Sequence, residues 1–212
     1  MRRKKLIPAL LLCLLLTACG GEEKDVAAEL QGQYASVEAA TMEADIACHY
    51  DDEVRIYTLQ CAYTPTGSTV TVLSPEELSG ISATVEAGTL TLSYEDISLD
   101  AGSYSAAAIS PVAALPKLME AAARGYVTEK CSEELDERSC LRLSCDLQDD
   151  TGVVYTTWFD QESILPLHSE ISIDGAVVYD VTWNRFEVTE QAPVASGTPK
   201  SGGENSNPTA LG

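Results

Sequence analysis

The chain has 212 residues, 45% of them hydrophobic, and 33 Asp/Glu against 13 Lys/Arg give a formal net charge of −20. That length suits one domain. The charge excludes a nucleic-acid binder, whose affinity comes from Lys/Arg neutralising phosphates, and a domain lying flat on an anionic membrane, which needs basic clusters.

The N-terminus is built like an export signal. Arg2, Arg3, Lys4 and Lys5 form a basic start, Leu6 to Leu16 is an apolar run, and small residues follow. As a helix the run reaches only about 16 Å, roughly half of the ~30 Å hydrocarbon core, so it is a removable signal rather than a span. Leu16-Thr17-Ala18-Cys19 resembles the bacterial lipobox, whose cysteine takes a lipid on sulfur and becomes the first residue after cleavage. The resemblance implies residues 1–18 as signal peptide, Cys19 as the site of acylation (palmitate-type chains), and residues 19–25 as a lipidated spacer. Several acyl chains together suffice for a stable membrane anchor. Four of the 13 Lys/Arg and no Asp/Glu precede Cys19, leaving nine against 33 and a net of −24 beyond it.

A helix is expected from Asp25, its N-cap, with Val26, Leu30, Tyr34 and Val37 on one face. From Met42 the period becomes two, and Met42 to Tyr50 reads as a half-buried strand. The Asp51-Asp52 corner leads to a second strand with Tyr57, Leu59, Cys61 and Tyr63 on one face, and Thr69 to Leu73 forms a third. Ser74-Pro75-Glu76-Glu77 has the pattern of a capped helix start that ends at Gly80. A two-residue Ala87-Gly88 turn sets Val85 opposite Leu90, Ala83 opposite Leu92 and Ile81 opposite Tyr94, all on one face.

Ser110-Pro111 opens a second helix that runs to Arg124 and stops at Gly125, with Pro116 kinking it or marking a later start. Five further strands are expected: Tyr126–Cys131, Arg138–Leu147, Val153–Phe159, Leu167–Ile173 and Ala176–Phe186. Asp174-Gly175 is a hairpin turn between the last two. Fourteen of the 22 residues from Gln191 to Gly212 are Gly, Pro, Ser, Thr or Asn, so residues 191–212 read as a disordered tail. The fold is assigned to residues 26–190.

No catalytic constellation emerges, and the chain is read as a non-enzyme. His49 and His168 are the two histidines, each reading as a solvent-facing strand residue. Gly-x-Ser-x-Gly, Ser-x-x-Lys, His-Glu-x-x-His and a phosphate-cradling glycine loop are absent. The clusters Asp51-Asp52-Glu53, Glu133-Glu134 with Asp136-Glu137, and Asp149-Asp150 lack a calcium-loop pattern, so no metal or cofactor is assigned. Trp158 and Trp183 read as core, with stacking on a sugar or lipid as the alternative.

Among the cysteines beyond Cys19, a tight turn at Asp51-Asp52 puts Cys48 opposite residue 55 or 56 and far from Cys61. Pairing Cys131 with Cys140 in register also pairs Glu129 with Arg142. That makes Cys131 and Cys140 the candidate disulfide, with two free thiols as the alternative.

Trp158-Phe159-Asp160, Leu165-Pro166-Leu167, Glu170, Asp174-Gly175 and Trp183 with Phe186 look like the terminal strands of the LolA/LolB lipoprotein-localisation superfamily. Ser74 to Leu78 and Leu90 to Tyr94 fit its middle hairpins. The resemblance covers roughly Val26 to Phe186, and the lipidated acidic form is most similar to the Gram-positive members, spore-germination lipoproteins included. It implies an α+β fold: a strongly curved antiparallel sheet, an unclosed half-barrel, with helices covering its open side. It also implies an apolar concave cavity for acyl chains, and Tyr57, Leu59, Tyr63, Leu90, Leu92 and Tyr94 are the candidate lining. Two functions follow. One is an envelope lipoprotein that binds a lipid or other apolar ligand. The other is a lipoprotein with a filled core that docks an envelope or spore-assembly protein.

Overall fold

The structure is a computed structural model that describes residues 25–50, 52–104 and 110–190. The expected signal peptide, Cys19, the expected spacer up to residue 24, Asp51, residues 105–109 and the expected 191–212 tail lie outside the described residues. Among those described, no helix is long and apolar enough to cross a membrane.

Eleven strands form one antiparallel sheet: β1 (Val37–Tyr50), β2 (Glu53–Thr64), β3 (Gly67–Ser74), β4 (Ser82–Glu86), β5 (Thr89–Tyr94), β6 (Ile97–Ser103), β7 (Tyr126–Leu135), β8 (Arg138–Asp146), β9 (Val153–Asp160), β10 (Pro166–Ile173) and β11 (Ala176–Glu190). Their spatial order is β6-β5-β4-β3-β2-β1-β11-β10-β9-β8-β7. Two meanders therefore run outward from a central pair, β1 and β11, and end on open edges at β6 and β7. The chain returns from one edge to the other through helix α2 (Pro111–Arg124), so that helix must cross the open side. It packs on β3 and β9 and touches β1, β2 and β8, strands of both meanders, so the sheet curls around it. Helix α1 (Val26–Ala35) packs against α2. Register shifts at Val37/Ala39 and Glu43/Ala44 between β1 and β11 add bends where the long central strands must curve. This unclosed α+β half-barrel is the architecture that the LolA/LolB resemblance implied.

Local chemistry explains the elements. The Asp25 carboxylate accepts from the Ala27 N–H at 3.2 Å, capping α1. Helix α2 has Pro111 in its first turn, where the missing N–H costs nothing, and it continues through Pro116. It ends where Gly125 turns extended, and glycine stands there for reasons of space. At φ −63° and ψ 147° any residue is allowed, but a Cβ there would lie 2.6 Å from the Ala121 carbonyl oxygen and 2.7 Å from Cys145 Cβ. Inside, Met42, Ile46, Leu59, Leu115, Met119, Leu143, Phe159 and Val181 are buried in one core. The Tyr34 ring stands edge-on to Phe159 with centroids 5.1 Å apart. One polar ladder crosses this core: Thr157 and Ser169 hydroxyls bond at 2.8 Å, and the Trp183 indole N–H donates to Ser169 at 3.0 Å.

Several expectations change. Strand β1 starts at Val37, not Met42, because Ser36 closes α1 and a bulge resets the period. Ser74 stays in β3, and Glu76–Leu78 makes a single 3-10 turn without a side-chain cap. The β4–β5 register is as expected for Val85↔Leu90 and Ala83↔Leu92, but pairing ends at Ser82↔Ser93, short of Ile81. Strand β6, absent from the sequence reading, pairs with β5 through a Glu95-Asp96 turn. Cys48 does face Arg55, while Cys61 faces Met42.

The Cys131–Cys140 pairing is corrected. Asp136 and Glu137 both adopt positive φ, 49° and 64°, making a two-residue turn. It places Cys131 opposite Arg142 and Cys140 opposite Glu133. The two cysteines are then diagonal neighbours, about 7–8 Å apart, beyond the roughly 4.4–6.8 Å Cα span of a disulfide. Both are free. The Glu129–Arg142 ion pair does form, at 2.8 Å, but diagonally, since Glu129 faces Ser144.

Reactivity follows burial. Burial pushes the Cys61 thiol up to about 12 and the Cys48 and Cys145 thiols up to about 11. It raises Cys140 as well. Cys131 alone among the described cysteines is exposed. Alkylation of native protein at pH 8 should therefore modify Cys131 first, and the others only on unfolding. Peptide mapping that finds Cys140 labelled at the same rate, or a 131–140 cross-linked peptide, would contradict this.

Candidate functional site

The space under α2 is filled. Where Tyr34, Leu118, Met119, Ala122, Thr157, Phe159 and Trp183 converge, a void of only about 10 Å³ remains, at the limit for a single water. An open groove of about 840 Å³ lies to one side, between α2 and the β2–β3 corner. Tyr34, Val37, Tyr63, Pro65, Val85, Pro116, Ala123 and Leu147 supply its apolar wall, and Tyr104, Lys117, Glu120, Arg124 and Asp149 its polar end.

Strand register puts the six candidate lining residues on one face of the sheet, and Tyr63 alone of them lines this groove. Leu59 and Leu90 are buried in packing, Tyr57 and Leu92 are half-buried, and Tyr94 is exposed beside Gly80. The correction has a simple cause. The helix sits over the middle of the sheet and fills it, so the open space moves toward the strand ends at Tyr63, Gly67 and Val85.

The polar end is built around Lys117, only 5% exposed. Its ammonium is 3.3 Å from Glu120 and 3.7 Å from Asp149, and 4.9 Å from the Tyr104 ring centroid. Glu120 also pairs with Arg124 one turn on. Burial works to raise the Asp149 carboxyl, but the Thr151 hydroxyl and amide that bond it, with Lys117, hold it below its ordinary value. The Tyr104 hydroxyl is buried with no hydrogen-bond partner among the described residues, and burial raises its pKa. A buried ammonium and an unused hydroxyl at the end of an apolar groove suit the polar head of an amphiphile better than a plain hydrocarbon.

The opposite, convex face carries a charged belt. Trp158 lies there, correcting its reading as core. Its indole N–H donates to Glu133, and its ring sits 6.0 Å from the Arg142 guanidinium and 5.2 Å from the His168 ring. Trp183, by contrast, packs inward against Phe186. A second open depression, of about 650 Å³, lies near Leu135, Leu165, Trp183 and Phe186 and has a mixed polar wall.

No protein-family model matches the chain, and no curated protein matches it. Solved structures with a similar chain path exist. One is a DUF1329 family protein from Desulfovibrio piger, with TM-score 0.48 and 10% identity over 76% of this chain and 90% of that one. Another is a putative outer membrane lipoprotein-sorting protein domain from Vibrio parahaemolyticus, with TM-score 0.47 and 10% identity over 82% and 93%. A third is a LolA superfamily protein from Nitrosomonas europaea, with TM-score 0.44 and 10% identity over 78% and 94%. These are likenesses of chain path at low identity.

Proposed function

We propose that this is a membrane-tethered envelope lipoprotein, anchored through Cys19, that binds a lipid or other apolar ligand with a polar head in its α2-side groove. The observation that carries the reading is the groove itself, about 840 Å³ with an apolar wall and Lys117 and Tyr104 at one end. Its volume falls in the roughly 300–1,000 Å³ range of small-molecule sites. The acyl portion would lie along Val37, Tyr63, Pro65 and Val85, and the head would meet Lys117 and the Tyr104 hydroxyl. The described residues that line this groove offer no nucleophile–base pair, and the role proposed is binding.

A docking role is the second reading, favoured by β6. That edge strand is exposed along its whole length and presents Ile97 and Leu99, 71% and 62% exposed. Open edges of this kind invite an added strand.

Native mass spectrometry of protein from its own membranes, before and after delipidation, separates the two. A fluorescent fatty-acyl probe adds the residue-level test. Val85 lines the groove and is half-buried, so Val85→Trp should cut probe affinity at least about tenfold while far-UV circular dichroism is unchanged, since a filled pocket forfeits most of the ligand's burial. Wild-type protein that carries no lipid and binds no probe defeats the ligand-binding reading, and crosslinking in the native membrane then tests docking at β6.

A further inference from the structure

We infer that the convex face holds a site for a zinc-class divalent cation, formed by His168, Glu170 and Asp180 and positioned by His49. It is independent of the groove, which lies on the other side of the sheet. His168 and Glu170 are two apart on β10 and so share a face, and Glu170 is paired directly with Asp180 on β11. His49 extends from β1 on the far side of Asp180, so three adjacent strands aim both of the chain's histidines at one carboxylate.

Charge points to a missing counter-ion. Two carboxylates directly opposite on neighbouring strands repel. Across the same face the acids of β7 have Arg142, which pairs with Glu129 and Glu133 at 2.8 and 3.4 Å. Among the described residues no lysine or arginine pairs with Glu170 or Asp180, and their ion-pair partners are the histidines alone.

Geometry points the same way. His168 Nε2 is 3.4 Å from Asp180 Oδ1 and 3.8 Å from Glu170 Oε1. Both exceed the roughly 2.7–3.2 Å of a good N–H···O bond. The Asp180 distance matches the edge of about 3.3–3.4 Å of a tetrahedron whose metal–ligand bonds are about 2.0–2.1 Å, and the Glu170 distance is longer. The three ligand atoms lie within 4.8 Å of one another. Asp180 uses its other oxygen, Oδ2, to accept from His49 Nε2 at 2.8 Å, the outer-shell bond that orients a ligating carboxylate. Trp158 packs on the His168 ring with centroids 5.2 Å apart and limits its rotation. One imidazole and two carboxylates favour zinc-class ions over calcium, which takes six to eight oxygens. Three protein ligands leave a fourth position for water.

The full chain, stripped with chelator and with Cys131 alkylated, is titrated with Zn²⁺ and with Ca²⁺ by calorimetry. The expected result is one saturable Zn²⁺ per chain, at least about tenfold tighter than Ca²⁺. It should weaken about tenfold or more in His168→Ala and in Glu170→Gln, and by roughly 10–100-fold in His49→Ala. The His168 ring protons should shift on saturation in proton NMR, which reads the site without any variant. Absence of saturable zinc binding overturns the site. So does zinc binding that is unchanged in His168→Ala, lost on alkylation alone, or matched by calcium.

Discussion

Cys19→Ala is expected to abolish labelling with a radiolabelled fatty acid and to shift the protein out of the membrane fraction. A large effect is expected because the proposed anchor at Cys19 is the strongest membrane signal read in the sequence. Leu6 to Leu16 spans about 16 Å as a helix, too short for the hydrocarbon core. None of the described helices is long and apolar enough to cross. A net charge of −24 beyond Cys19 repels anionic headgroups instead of supplying the polybasic second contact that peripheral proteins use. In the proposed anchor, acyl chains on Cys19 carry the membrane affinity, at about 0.8 kcal/mol per buried methylene. Cys13 is the internal control, because it lies inside the apolar run. Cys13→Ala should leave fractionation and labelling unchanged. Labelling that survives Cys19→Ala would remove the anchor from that residue.

What was legible in the sequence followed from strong local signals. Alternation from Met42 to Tyr50 marked a central strand, and Ala87-Gly88 fixed a register because glycine pays nothing for positive φ. Where that chemistry was absent, the reading slipped. The turns at Glu95-Asp96 and Asp136-Glu137 contain no glycine, yet Glu95, Asp136 and Glu137 all take positive φ. The first slip hid β6, whose residues are exposed on both faces and so carry no burial period. The second misaligned β7 on β8 by two residues, and with it the cysteines.

The candidate site divides in the same way. Sheet periodicity identified the face of the sheet but not how deeply α2 fills it: Leu59 is core, Leu90 is buried, and of the six only Tyr63 lines the groove. Lys117 was visible in principle. It stands three after Ala114 and four before Ala121, on the apolar stripe of α2, where a lysine demands a partner. The His49–Asp180–His168 grouping was not visible at all. Those residues are brought together by the pairing of the first strand with the last, and no local spacing encodes that.

Lys117→Met should lower stability by about 3 kcal/mol and the melting temperature by about 6–12 °C in a domain of this size. Methionine keeps the unbranched stem and its packing, so the loss isolates the charge. Removing one partner of a buried ion pair costs about 3–5 kcal/mol. The lower end applies here because the Glu120 and Asp149 side chains are 19% and 24% exposed, and Arg124 still pairs with Glu120.

The pH dependence gives a second readout. In the folded protein the Asp149 carboxyl is held below its ordinary value. Its contribution is therefore complete above the unfolded value of about 3.9 and is lost as pH falls through the folded one. Without the Lys117 ammonium, burial is opposed only by Thr151 and the local backbone, so the Asp149 carboxyl rises and the acid limb of the stability profile moves to higher pH. Lys117→Met/Asp149→Leu, which removes the lysine and one of its two carboxylates and leaves Glu120 paired with Arg124, should recover part of the lost stability, because Asp149 is no longer left without its ammonium. Thermal melts of the three proteins between pH 3 and 8 test this directly. A single variant as stable as wild type, with an unshifted acid limb, would show that Lys117 is screened by solvent and that the groove's polar end is open water.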